Sequence, residues 1–284
     1  MQELLKLSIL ALKVSVLLQV FAIGLGTTLD DATYLFRRPR LLMNSVLARN
    51  VAAPIIAILL IKAFLFHNAV AITLGVLAVT PVPPLVPKSQ LKGGARSEYV
   101  LGLLVSQSLL AIVLVPVTVQ LMSWALGRQA HFSASEVAAL LAKTVLVPLA
   151  AGMLASKFLR KPHRFAPQLL MVGTVLLIAG AVPLLILGWK ALGTLSGNGA
   201  MLAIAIFIVA ATAAGHLLGG PQPQDRTTLA TTTSARHPGL ALAIAQANFP
   251  EQTRLVVGAI VIYLILRLFV LFPYLRWLRP RNKS

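Results

Sequence analysis

Pro81-Val82-Pro83-Pro84-Leu85-Val86-Pro87 and Thr231-Thr232-Thr233-Ser234-Ala235-Arg236-His237-Pro238-Gly239 each interrupt an apolar run. Proline removes a main-chain donor and its ring clashes with the carbonyl four residues back, so neither run continues as one helix. What the two breaks mean depends on the solvent. In lipid, every freed N–H or C=O costs several kcal/mol, so breaks survive there only where they line a polar cavity or hold something.

Composition puts the chain in lipid. Of its 284 residues 58% are hydrophobic and 11% charged, with a mean hydropathy of +0.86, too little polar surface to coat a soluble globule. Apolar runs fall at about 3–25, 41–65, 69–87, 98–126, 134–157, 165–189, 198–219, 227–248 and 254–275, each close to the roughly 20 residues that a spanning helix needs. This predicts an all-α integral membrane protein of nine transmembrane helices, with one transmembrane domain over 1–284. The first run is long enough to span and lacks a separate cleavage site, so it reads as a retained helix and not a removed signal peptide.

The net charge of +18 does not point to nucleic acid, because the bases neither line one amphipathic face nor interleave with aromatics. They sit mainly in short loops. Fifteen lie in one set of alternate loops, among them Arg37, Arg38, Arg40, Lys157, Arg226 and Arg276, against five in the other set. Cytoplasmic loops carry the excess of bases, which places the N-terminus outside and the C-terminus in the cytoplasm of a cell inner membrane.

The two broken segments lie five spans apart and so cross in opposite directions, the arrangement of an inverted repeat. Spans one to four would match six to nine, leaving the fifth without a counterpart: a 4+5 chain. Two opposed breaks predict a site at the midplane, with half-helix N-termini facing an anion and free carbonyls able to coordinate a cation.

The residues expected there are the intramembrane bases and the hydroxyls beside the second break. Arg49 lies about 13 Å along the helix from Arg40, too deep for easy snorkelling. Arg236 is inside the second break and Lys88 ends the first. Such bases face a cavity and mark a pathway; the competing account is that each snorkels or is capped by backbone carbonyls. Arg267 is close enough to the cytoplasmic end to snorkel, and Lys13 and Lys143 have no evident partner. Thr231, Thr232, Thr233 and Ser234 could donate to a carboxylate or accept from an ion, or cap helix ends. His237 could couple protons to transport, or be a hydrogen-bonded structural residue. Asn50, Ser106, Gln107 and Ser108 add polar groups to spans beside the first break, where each alone could be a packing contact.

No pattern supports an enzyme. Zero cysteines excludes thiol catalysis and thiolate metal sites, and no acidic pair within a span, His-rich metal spacing or nucleophile–base pair is present.

Three stretches resemble landmarks of the bile acid:sodium symporter family: Gly24-Leu25-Gly26-Thr27-Thr28-Leu29 followed by Phe36-Arg37-Arg38-Pro39-Arg40; Ala142-Lys143-Thr144-Val145-Leu146-Val147-Pro148; and Pro238-Gly239-Leu240-Ala241-Leu242-Ala243-Ile244-Ala245 leading to Asn248-Phe249-Pro250. The resemblance implies ten spans in two inverted repeats, of which this chain lacks the first. It also implies a panel (3–25 and 134–189), a core (41–126 and 198–275) and two crossed broken helices in the core. It further implies transport of bile acids, pantoate or other small carboxylates with sodium.

The departures from the family are specific. Arg49 stands where the resemblance implies a sodium-ligating Gln, and Lys88 where it implies an Asn. Thr232 and Arg236 replace the Glu and Gln ligands, and His237 the following Asn. Tethered cations in place of bound sodium would give a secondary transporter of small organic anions that works by alternating access without sodium and needs no cofactor. Two alternatives stay open: a sodium-coupled symporter with relocated ligands such as Ser106, Gln107 and Ser108, and a membrane sensor or scaffold that binds an anion without cycling.

Overall fold

The computed structural model describes residues 2–83, 96–127, 134–159, 162–195 and 199–278, and every regular element among them is helical. In chain order these are α1 (Gln2–Leu25), the short α2 (Leu29–Thr33), α3 (Pro39–Ala63), α4 (Asn68–Val79), α5 (Ser97–Leu126), α6 (134–158), α7 (Pro162–Leu195), α8 (Ala200–Leu218), α9 (Pro223–Thr233), α10 (Pro238–Asn248) and α11 (Thr253–Leu278). Among the described residues six helices are long and apolar enough to cross a membrane, and Leu10–Leu25 and Asn68–Val79 are shorter apolar helices. Leu59, Val113, Leu121, Ile178, Leu268 and Phe269 point outward, all more than half exposed, as expected of a bundle whose surface meets hydrocarbon.

Prolines explain where the long helices deform. Within α3 the stretch Leu47–Ala52 widens into a π-helix just before Pro54, and within α6 the stretch Ala142–Leu146 does so before Pro148. Each proline has no N–H to give to the carbonyl four residues earlier, Asn50 or Thr144, and its ring pushes that carbonyl aside, so the turn takes up an extra residue. Arg49 rides on the first of these π turns.

Helix α1 packs along α6 and α7, and small residues set the spacing. A Cβ on Gly24 would collide with the carbonyl of Leu149 and lie 3.0 Å from the Cα of Gly152, while one on Gly180 would meet the Ser8 carbonyl at 2.7 Å. The main chains therefore touch, as in membrane interfaces where dispersion replaces the hydrophobic effect. Ser15 Oγ adds a bond to the Gly173 carbonyl at 2.7 Å, and Gln19 Nε2 donates to Ser15 Oγ at 3.0 Å.

The remaining long elements gather around the two breaks: α3, α8, α10 and α11 all contact α4, and α8 lies against α9. Gly215 permits the last approach, since its Cβ would come within 2.6 Å of the Ala230 Cα. The eighth apolar run is interrupted as expected, α9 ending at Thr233 and α10 starting at Pro238. In the third run α4 stops at Val79, earlier than the predicted bound of 87, because Thr80 turns to an extended conformation ahead of Pro81, as a residue preceding proline favours. Lys88 lies outside the described residues.

Candidate functional site

A helix ends with four carbonyls lacking intrahelical partners. At the C-terminal end of α9 these groups are met by side chains from two other helices. Arg49 of α3 donates from Nη1 to the Thr232 carbonyl and from Nη2 to the Ala235 carbonyl at 3.2 Å. Arg267 Nη2 of α11 donates to the Thr231 carbonyl at 3.1 Å, and Tyr263 Oη to the Ser234 carbonyl. The negative end of the α9 dipole thus faces two guanidinium groups.

The C-terminal end of α4 is treated the same way from the other break. Arg236 Nη1 sits among three main-chain carbonyls, Ala78 at 3.1 Å, Arg49 at 3.2 Å and Thr80 at 3.3 Å. Thr80 Oγ1 accepts from the His237 N–H at 3.0 Å and donates to the Leu77 carbonyl at 2.9 Å. The two breaks are therefore in direct contact. Arg49 and Arg236 are each 1% exposed, and carbonyl oxygens surround them much as they would a bound cation.

The predicted hydroxyls lie here, with their protons already committed. Thr231, Thr232 and Thr233 donate to the carbonyls four residues back at 2.7, 2.7 and 2.6 Å, and Ser234 bonds Thr231 and Ala230 at 3.3 and 3.4 Å. This is the back-bonding habitual for hydroxyls within helices. His237 caps α10, its Nδ1 accepting from the Leu240 N–H at 3.2 Å, with Nε2 buried and unpartnered.

Several polar side-chain atoms are buried without a hydrogen-bond partner: Arg49 Nε, Arg236 Nε and Nη2 and Arg267 Nε at this centre, and Asn50 Oδ1 on α3 with the hydroxyls of Ser106 and Ser108 and both amide atoms of Gln107 on α5. Orphans at this density are unusual in a native interior. Lys13 and Lys143 are exposed and take no part. Arg267 and Tyr263 are additions to the predicted set. A separate pocket between α3, α4, α5 and α10 is apolar, Ser123 being its one polar lining residue, and offers an anion little to hold.

The ends of α4 and α9, joined through buried arginines in an all-helical bundle, suggest a carrier, and a family model decides which. The model of the Sodium Bile acid symporter family matches residues 13–195, more than half of the chain. The chain belongs to that family. It is accordingly a multi-pass membrane protein of a transporter family. No individual curated protein matches it. Within this Sodium Bile acid symporter family member the match takes in Arg49 and stops before α8, so it does not extend to Arg236 or Arg267.

Proposed function

We propose that this protein is a sodium-independent secondary transporter of small organic anions in which guanidinium groups take the place of bound sodium. The carrying observation is that Arg49 and Arg236 occupy the carbonyls of both breaks. Free carbonyls at a broken helix are where a transported cation would bind, and a guanidinium held there supplies positive charge permanently. Its remaining N–H groups, the orphans Arg49 Nε and Arg236 Nε and Nη2, are donors for a substrate carboxylate.

In this reading the chain has nine spans in a 4+5 inverted repeat, with the N-terminus outside the inner membrane. The panel is 3–25 and 134–189, and the core is 41–126 and 198–275. The contacts support such a division, because α1 packs on α6 and α7 while α4 and α9 are each contacted by α3, α5, α8 and α11. Rocking of panel against core would expose the breaks alternately to either side. Lys88 is a further candidate cation near the first break.

The test is the thermal stability of detergent-purified protein against a panel of organic anions, in sodium chloride and in choline chloride, since a ligand that binds the native state raises apparent stability. Equal stabilisation in both salts is expected. Stabilisation in sodium alone would overturn the proposal and favour a sodium-coupled symporter, a second reading for which the unpartnered Ser106, Gln107 and Ser108 side chains would be the ligands.

A further inference from the structure

The arginines at the breaks outnumber the negative charge that faces them. Arg49 and Arg236 are fully buried, and Arg267 reaches in from α11 to the same end of α9 that Arg49 caps. Among the described residues no carboxylate bonds any of the three. The acid on α9, Asp225, is six residues before Thr231, about 9 Å away along the axis, and is paired with Arg96 at 3.5 Å. Asp30 pairs with Arg37 on the exposed surface. Tyr263 spends its proton on the Ser234 carbonyl and so contributes no charge.

What remains to oppose the arginines is main chain. The C-terminal ends of α4 and α9 are each worth roughly half a negative elementary charge. Three guanidiniums against two such ends leave about two positive charges uncompensated. Their unused N–H groups, Arg49 Nε, Arg236 Nε and Nη2, and Arg267 Nε, are buried and unpartnered. Unpaired charge at membrane depth is costly, and a ligand whose own charge matches the excess removes most of that cost.

We infer that the anion bound at the breaks is a dianion, a small dicarboxylate or a tetrahedral oxyanion, and that Arg267 supplies the third charge that sets this preference. The inference rests on the anion-carrier function proposed above and narrows its substrate class. Arg267 acts as a specificity-determining residue, through the net charge of the site and through its free Nε.

The experiment is a thermal-stability titration of the full chain in detergent, in choline chloride at neutral pH, with succinate, monomethyl succinate and sulfate. Succinate and its monoester share a carbon skeleton and differ by one charge. At least one of the two dianions is expected to bind about tenfold or more tightly than the monoester, the scale of one further hydrogen bond to a charged group. Whichever dianion binds better separates an organic from an inorganic substrate. A monoester that binds as tightly as both dianions would overturn the inference and leave the carrier function standing. If no anion of any kind stabilises the protein in either salt, the carrier function fails and this inference fails with it. Arg267→Gln keeps an amide donor on α11 but removes the charge and is expected to bring the dianion-to-monoester ratio to about one, whereas Arg267→Lys keeps it. A wild-type ratio in Arg267→Gln would remove Arg267 from the role, and the wild-type titration tests the dianion preference even if that variant does not fold.

Discussion

Arg236 Nη1 donates to the main-chain carbonyl of Arg49 at 3.2 Å, and Arg49 Nη2 donates at 3.2 Å to the carbonyl of Ala235, the residue just before Arg236. Each arginine therefore holds the backbone that carries the other. Loss of Arg49 frees the Thr232 and Ala235 carbonyls beside Arg236, and loss of Arg236 frees the carbonyl of Arg49 itself with those of Ala78 and Thr80, so each loss loosens the segment that carries the other arginine.

Arg49→Gln is expected to fail in two ways. A shorter amide cannot reach both Thr232 and Ala235, leaving a buried carbonyl without a donor, at a cost of about 1–3 kcal/mol. It also removes one of two fully buried positive charges. The apparent melting temperature in detergent should fall, and anion-dependent stabilisation should disappear. Unchanged anion binding in the variant would mean that Arg49 is only a backbone clamp.

The double variant Arg49→Gln/Arg236→Gln sharpens this. If each arginine positions the other, the two losses of stability will not add, and the coupling in a double-mutant cycle should be of the order of 1 kcal/mol. Additive losses in thermal stability would mean that the two caps act independently.

How much of this was legible in the sequence follows from the kind of signal each residue carries. Proline and glycine interrupt a hydrophobic run visibly, so the break between α9 and α10 was readable, and Arg49 and Arg236 stood out because charge within an apolar segment is rare. What the arginines hold was not readable, since capping of main-chain carbonyls depends on which helix ends meet in space. Arg267 lies close enough to the cytoplasmic end to snorkel, and only the contact with Thr231 shows it turned inward. Tyr263 left no trace, as an aromatic in an apolar span looks like any other lipid-soluble residue. The hydroxyls from Thr231 to Ser234 were conspicuous by clustering, yet a helix offers each of them a carbonyl one turn back, and spacing alone does not reveal that choice.

Tyr263→Phe isolates one cap without touching charge. Ser234 loses its donor while the ring still packs, so stability should fall by about 1–3 kcal/mol, the cost of orphaning a buried acceptor. The preference among anions should not change. A shift in anion preference, read by the same stability titration, would place the phenol against substrate.

His237 tests whether protons take part. Its Nδ1 accepts from the Leu240 N–H at 3.2 Å, so an imidazolium, with donors on both nitrogens, cannot keep this cap. Asparagine is a good N-cap and does not titrate in the physiological range. For a carrier that does not use His237 as a proton site, His237→Asn should transport as well as wild type with the same pH profile. His237→Ala, without the cap, should lose about 1 kcal/mol of stability. Proton movement accompanying anion flux in liposomes that vanishes in His237→Asn while anion flux persists would instead assign proton coupling to this residue, because the substitution preserves the cap and removes the ability to titrate.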